Sequence, residues 1–106
     1  MMDFEKYVEL GKVKVKTPDA EEAKALLKKS NERLEFISQS KITHKNSSFI
    51  LENSYEAIRE AIQSLMSVKS FKQYSHEATI AFLKKYYSFA ESTIYELDRY
   101  RQLRCD

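Results

Sequence analysis

The sequence predicts an all-α domain, an up-and-down bundle of four helices, on three observations. The first is composition, since the 106 residues include one glycine and one proline where average usage would give about seven and about five. A β domain needs these residues at its many turns. The second is an apolar pattern of helical spacing through the long segments of the chain. The third is that these segments follow residue types that commonly cap helices.

Residues 1–16 are expected to form an N-terminal extension outside this bundle, which then occupies residues 17–106. An apolar pattern before Gly11 predicts one short amphipathic turn, because glycine readily takes the left-handed conformation that ends a helix. The stretch KVKVK alternates valine with lysine and predicts an extended segment, although two valines do not establish a strand. We interpret its lysines as a solvated surface. The turn contains Phe4, Tyr7 and Val8, and the lysines are Lys12, Lys14 and Lys16.

The first long helix is predicted to start with Thr17 as its cap and Pro18 in its first turn, and to run to about Ser40. Threonine accepts hydrogen bonds from the first backbone N–H groups of a helix, and proline suits the first helical position. Apolar and small residues recur on one side, and charged residues occupy the other. The inward row is Ala20, Ala23, Leu27, Ser30, Leu34 and Ile37, and the outward row is Lys24, Lys28, Glu32 and Glu35.

A central helix is predicted from about Ser47, and it carries two adjacent apolar rows. A helix that is apolar over so wide an arc must be covered on more than one side, which predicts a central place in the bundle. The small residues of the second row are expected to let a neighbouring backbone approach closely. The first row is Leu51, Tyr55, Ile58, Ile62 and Leu65, the second is Ile50, Ser54, Ala57, Ala61 and Val68, and the exposed edge is Glu56, Arg59, Glu60 and Gln63.

A polar corner then leads to a third helix, predicted to run from its cap at Ser75 to about Tyr86. Ser88 followed three residues later by Glu91 has the spacing of a capping box, which predicts the start of the last helix. Between Ser88 and Asp106 there is no glycine, asparagine or proline, the residues that commonly end a helix. We therefore expect the last helix to be truncated at the end of this sequence.

The last helix has an unusual apolar row. Ile94 and Leu97 lie on it, and the same register continues to Arg101 and then Arg104. Arginine on a core-facing row is costly unless its guanidinium finds a partner or water. Either these side chains extend to solvent or stabilise the helix end, or they line an electropositive cleft that holds phosphate. Arg99 is the third candidate for such a cleft.

Both histidines are interpreted as structural. His44 lies in a polar linker with no second histidine or acidic pair at ligand spacing, which favours an ordinary surface residue. His76 follows Ser75 at the start of the third helix, and we favour a role in holding the corner closed over a catalytic role. The positive end of the helix dipole opposes a protonated imidazole there, which favours the neutral form.

Composition also excludes several kinds of site. The single cysteine, Cys105, excludes a disulfide framework and a zinc cluster built on cysteines. The carboxylates lie mostly on outward faces, and neither a Glu-x-x-His motif nor a glycine-rich phosphate loop occurs, so no metal and no cofactor is expected. The net charge of +2 permits contact with nucleic acid without requiring it. No apolar run reaches the length of a membrane span, and no signal-peptide core is present, which favours a cytoplasmic protein.

The segments SYEAIREAIQSLM, YSHEATIAFLKK and ELDRYRQLRCD together resemble the HEPN family (higher eukaryotes and prokaryotes nucleotide-binding) over residues 17–106. The resemblance implies a helical bundle that forms a homodimer and binds RNA or nucleotide phosphate. It also implies a minimal nucleotidyltransferase as partner, as in prokaryotic toxin–antitoxin pairs. The candidate phosphate-binding residues are Arg101, Arg104 and Arg99, and the structural or site-adjacent residues are Ser75, His76 and Tyr55.

Active HEPN proteins are metal-independent endoribonucleases whose motif places a histidine four to six residues after an arginine. This chain has no histidine after His76, and Cys105 stands where the family has asparagine or aspartate after the arginine. An endoribonuclease is therefore an alternative in which the histidine lies beyond Asp106. A non-catalytic helical module for protein contact is another alternative, to which the seven tyrosines are suited. An up-and-down bundle unrelated to HEPN is the alternative fold.

Overall fold

The computed structural model describes residues 1–104 and the side chains of residues 1–103. This part of the chain contains five helices and two short strands, and the mainly helical fold predicted from the sequence is confirmed. A strictly all-α fold is not found, because the two strands pair. The elements are α1 Phe4–Glu9, β1 Val13–Val15, α2 Ala20–Gln39, α3 Ser47–Val68, β2 Phe71–Gln73, α4 His76–Tyr86 and α5 Glu91–Arg104.

The two strands form an antiparallel ribbon that the sequence does not predict. Val13 lies opposite Gln73, and Val15 lies opposite Phe71. The segment between α3 and α4 was expected to be a polar corner, but residues 71–73 of it form β2. Ser70 before this strand takes a positive φ of 72° and turns the chain back toward β1. Serine supplies this left-handed position without the freedom of glycine, so the turn carries some backbone strain.

Residues 1–16, set apart in the sequence as an extension, contribute to the main core. Phe4, Tyr7 and Val13 are each at most 3% exposed. The ring of Phe4 packs edge-on against Phe71 and Phe82, with centroid distances of 5.1 and 5.8 Å. The core is formed by α1, the ribbon, the C-terminal half of α3, α4 and the start of α5. Its buried members are Phe4, Tyr7, Val13, Ile62, Met66, Ala78, Ile80, Ala81, Phe82, Leu83 and Ile94.

Helix α2 starts two residues later than predicted. The N-cap is Asp19, whose side chain accepts a hydrogen bond from the backbone N–H of Glu22 at 2.9 Å. The predicted cap at Thr17 is wrong because the chain is still extended there, since the N–H of Lys16 donates to the carbonyl of Ser70 at 2.8 Å. The ribbon therefore delays the start of the helix.

Serine side chains form hydrogen bonds across the interface between α2 and α3. The hydroxyl of Ser30 donates to the carbonyl of Ala57, and that of Ser64 donates to the carbonyl of Ala23, both at 2.7 Å. Such bonds from short side chains to a neighbouring backbone require the two helices to lie close together. The close approach predicted for the small residues of α3 is thus present at Ala57, which is 1% exposed.

Glu60 was placed on the exposed edge of the central helix, but its side chain is 3% exposed. Arg33 on α2 donates to its carboxylate through Nε at 2.7 Å, and Lys29 approaches it at 3.5 Å. The Nη1 of Arg33 also donates to Asn53 at 2.6 Å. The prediction is wrong because α2 covers this side of α3, and the two α2 cations compensate the buried charge.

Helix α4 begins at His76 after Ser75 in the cap position, as predicted, although the Ser75 side chain makes no cap hydrogen bond. The capping box predicted at Ser88 is wrong, because α5 begins only at Glu91. The first residue between the helices, Tyr87, has an extended backbone and packs on Phe82 with a centroid distance of 5.9 Å. This aromatic contact places Ser88 before the helix start.

Candidate functional site

Four side chains from α1, α4 and α5 form what we call the polar cluster, namely Tyr7, Glu77, Asp98 and Arg101. The hydroxyl of Tyr7 donates to Glu77 Oε1. Arg101 Nη2 donates to Glu77 Oε2 at 3.2 Å, and its Nε donates to Asp98 Oδ1 at 2.9 Å. The arginine on the apolar row of α5 therefore connects that helix to the first turn of α4, and through Glu77 to α1.

The polar cluster contains one arginine and two carboxylates in a largely covered position. The side chain of Arg101 is 16% exposed. Burial alone would lower its pKa, but the hydrogen bond and charge of Asp98, with the charge of Glu77, outweigh burial, and the pKa is raised. Burial and the hydrogen bond to Glu77 raise the pKa of Tyr7 to about 12. Arg101 is therefore a permanently charged group whose charge is already compensated.

His76 and Tyr55 lie beside the polar cluster. The ring centroids of these two residues are 6.1 Å apart with an interplanar angle of 33°. His76 is half-buried at the first position of α4, directly before Glu77, whereas Tyr55 on α3 is 5% exposed. The sequence thus identified residues from three different elements that the fold brings near one another.

An apolar groove between α3 and α5 adjoins this region, and Tyr55 lines it. The groove has a volume of about 360 Å³. Its rim is open, since Ile42 is 67% exposed, Leu51 42% and Tyr100 41%. The groove therefore presents aliphatic and aromatic surface beside a charged cluster. Its lining residues are Ile42, Ser47, Ile50, Leu51, Ser54, Tyr55, Ile58 and Tyr100.

The three candidate arginines do not converge in the described part of the chain. Arg101 lies in the polar cluster, whereas Arg99 is exposed. Two residues along a helix correspond to a rotation of about 200°, which directs Arg99 away from Arg101. The backbone of Arg104 is helical, but its side chain and all of Cys105 lie outside the described residues. A single cleft formed by all three arginines is therefore not observed.

Sequence reasoning missed Tyr7, Glu77 and Asp98 as members of this cluster. Asp98 could have been found, because an aspartate three residues before an arginine on a helix is a favourable pair. Glu77 follows His76 in the sequence and could have been noted with it. Tyr7 gave no signal, since only the packing of the N-terminal segment against α4 brings it to Glu77.

No group of three or more histidine, cysteine, aspartate or glutamate side chains within residues 1–103 is arranged to hold a metal ion. In the same part of the chain, no helix has the length and apolar character needed to cross a bilayer.

Comparisons with models of protein families, with curated proteins and with solved structures find no match to this chain. The function is therefore inferred from the resemblance in sequence and from the geometry of the groove and the polar cluster.

Proposed function

We propose that the protein is a HEPN-like helical domain that forms a homodimer and binds RNA or nucleotide phosphate. In this proposal it is the toxin-type component of a system paired with a minimal nucleotidyltransferase. The supporting observation is the open apolar groove between α3 and α5, which lies beside Arg101, His76 and Tyr55. This arrangement combines a surface suited to a second copy of the chain with three residues that the resemblance to the family singles out.

The proposed dimer contact is the groove and its rim. Leu51 on α3 and Tyr100 on α5 are both about two-fifths exposed on one open surface, together with Ile42. Contiguous exposed apolar surface marks contact sites in soluble proteins. In a twofold dimer the groove of one copy would contact the groove of the other, and these side chains would be buried in both copies.

The proposed phosphate contact is the C-terminal end of α5. Arg101 is already bonded to Asp98 and Glu77, so a phosphate would have to compete with two carboxylates for it. Arg99 is exposed, and Arg104 follows one turn after Arg101. We therefore assign the phosphate contact to Arg104, and to Arg101 the task of holding α5 against α4. The position of Arg99 lies about 140° around the helix from that of Arg104, so Arg99 is not part of this contact.

The dimer is tested by the solution mass, measured by light scattering after gel filtration. The wild-type chain is expected at twice its mass of 12.5 kDa. Leu51→Glu places a charge on the rim of the groove and is expected to give monomers. The matched control is Leu27→Glu on α2, where the leucine is 49% exposed and outside the groove. A monomeric wild type at all concentrations contradicts the proposed dimer.

Phosphate binding is tested with adenosine triphosphate by titration calorimetry. Arg104→Ala is expected to weaken binding about tenfold, which is the size of one lost charge-assisted contact. Lys24→Ala removes one exposed cation from the outer face of α2 and is expected to change the affinity less than twofold. Equal affinity of wild type and Arg104→Ala would remove this arginine from the site.

A second candidate function is a helical module for protein contact, favoured by a pair of exposed aromatic rings. Phe36 on α2 and Phe49 on α3 are each 54% exposed, and their centroids are 6.3 Å apart. Two large rings left in solvent at adjacent positions are typical of a protein contact surface. This reading predicts association with no affinity for RNA at low salt.

A further inference from the structure

One face of the β1–β2 ribbon carries what we call the lysine ribbon, namely Lys12, Lys14, Lys72 and Tyr74. Lys14 lies directly opposite Lys72 in the antiparallel register. The backbone N–H of Tyr74 donates to the carbonyl of Lys12 at 2.7 Å, which continues the pairing by one position. Because alternate residues of paired strands point to the same face, these four side chains share one surface.

Val13 and Phe71 hold the opposite face of the ribbon against the core, whereas Val15 at the end of β1 is 72% exposed. Val13 is 1% exposed, and Phe71 packs against Phe4 and Phe82 with centroid distances of 5.1 and 6.2 Å. A shift of one residue in the register would bury the lysines and expose these apolar side chains. Core packing therefore fixes the lysines toward solvent.

The cations of the lysine ribbon are not compensated within the described residues. Lys16, at the end of β1, pairs with Glu22 at 2.6 Å, but no ion pair within residues 1–103 involves Lys12, Lys14 or Lys72. Like charges directly opposite each other on paired strands are unfavourable for the fold. Their arrangement favours an anionic ligand that neutralises both.

An exposed aromatic ring lies among these lysines. Tyr74 is 57% exposed, and the Nζ of Lys14 lies 5.5 Å from the centre of its ring. Proteins that bind single-stranded nucleic acid combine cations that follow the backbone with aromatic rings that stack on bases. By the register, the face carries no aliphatic side chain that could insert into a membrane.

We propose that the lysine ribbon binds the sugar–phosphate backbone of single-stranded RNA, with Tyr74 stacking on a base. The ribbon adjoins α1, because the N–H of Lys12 donates to the carbonyl of Tyr7 at 2.9 Å. The class of ligand rests on the proposed function, but the surface is separate from the groove and from the end of α5.

The experiment measures the affinity for a fluorescein-labelled oligomer of twelve uridines by fluorescence anisotropy over a range of salt concentrations. The ribbon variant is Lys14→Glu with Lys72→Glu, and the control variant is Lys24→Glu with Lys28→Glu on the exposed face of α2. Both change the net charge by −4, from +2 to −2. The ribbon variant is expected to lose at least about tenfold in affinity, and its salt slope should fall by about 1.4, because two phosphate contacts are lost.

The control variant is expected to bind within about twofold of wild type, because neither of its lysines belongs to the lysine ribbon. Equal losses in the two variants would overturn the proposal, because they would show that only net charge matters. Binding by the ribbon variant that equals wild type would overturn it as well. Circular dichroism and the thermal midpoint verify that both variants fold.

Tyr74 provides a second test that leaves the charge unchanged. Tyr74→Ala is expected to lower the affinity for the uridine oligomer about tenfold, and Tyr74→Phe is expected to retain it, because both rings can stack. Equal binding by wild type and Tyr74→Ala contradicts the stacking role.

The outcomes separate this inference from the proposed function. If the chain is a dimer and Arg104→Ala loses nucleotide binding while the ribbon variants bind RNA normally, the ribbon inference fails alone. If the chain is a monomer and Arg104→Ala is unchanged while the ribbon variants lose RNA, the proposed function fails alone.

Discussion

Arg101 and Lys14 carry the same charge in opposite surroundings. The guanidinium of Arg101 is 16% exposed and bonded to Asp98 and Glu77, whereas Lys14 faces solvent opposite Lys72. A cation enclosed by carboxylates stabilises the packing of helices, and its charge is not available to a ligand without competition. A cation that faces another cation gives no such stabilisation, and it is available to an anion. The sequence drew attention to the arginine, but the lysines have the surroundings of a binding surface.

The largest expected effect is the difference between replacing Arg101 and replacing Lys14 with alanine. Arg101→Ala is expected to lower the free energy of unfolding by about 2–4 kcal/mol, because Glu77 and Asp98 lose their partner in a largely covered position. Lys14→Ala is expected to change it by less than about 0.5 kcal/mol, as is usual at exposed sites. Urea denaturation measures both. Similar values for the two variants would contradict the distinction.

The next largest effect is the loss at alkaline pH of the stability that Tyr7 contributes through its hydrogen bond to Glu77. Since the pKa of Tyr7 is raised from 10 to about 12, its stabilising contribution is complete below pH 10 and is lost as the pH rises toward 12. Tyr7→Phe removes this contribution, which is of the order of 1–3 kcal/mol. The difference in free energy of unfolding between wild type and variant should therefore shrink between pH 10 and pH 12. A difference that is constant over this range would contradict the role of Tyr7.

The smallest effect concerns the repulsion within the lysine ribbon. Lys72→Ala removes the like-charge pair with Lys14 and is expected to raise the free energy of unfolding by a few tenths of a kcal/mol. The gain should disappear at about 1 M salt, because exposed charges are screened there. Thermal midpoints at low and high salt measure this. A loss of stability at low salt would indicate that Lys72 has a stabilising contact in the fold.

The helices were predictable because their apolar spacing is a local property of the sequence. In the row of α3 that contains Ile62, Tyr55 and Ile62 are buried as the period predicts, whereas Leu51 at its start is 42% exposed. Ser75 stands at the predicted start of α4.

The starts of α2 and α5 were predicted wrongly because contacts outside each helix decide them, and only the contact that delays α2 is distant in sequence. Pairing of Lys16 with Ser70 delays α2, and packing of Tyr87 on Phe82 delays α5.

For the candidate site, the sequence indicated individual residues but not the contacts between them. Tyr55, His76 and Arg101 were named from their positions in the sequence, but the partners of Arg101 were not. The ribbon was missed because β1 and β2 are three residues each and 55 residues separate Val15 from Phe71. Such short strands have no periodicity that a sequence pattern could reveal. The Lys14–Lys72 pair follows only from their register.

The central claim is that RNA contacts the open lysines of the ribbon, while Arg101 remains with its carboxylates. The most direct measurement is the change in backbone amide chemical shifts of the labelled protein on addition of the uridine oligomer. The largest changes are expected at residues 12–16 and 70–74, with smaller changes toward the end of α5. Changes that spare the ribbon and are confined to the outer face of α2 or to the surroundings of Arg101 would contradict the claim.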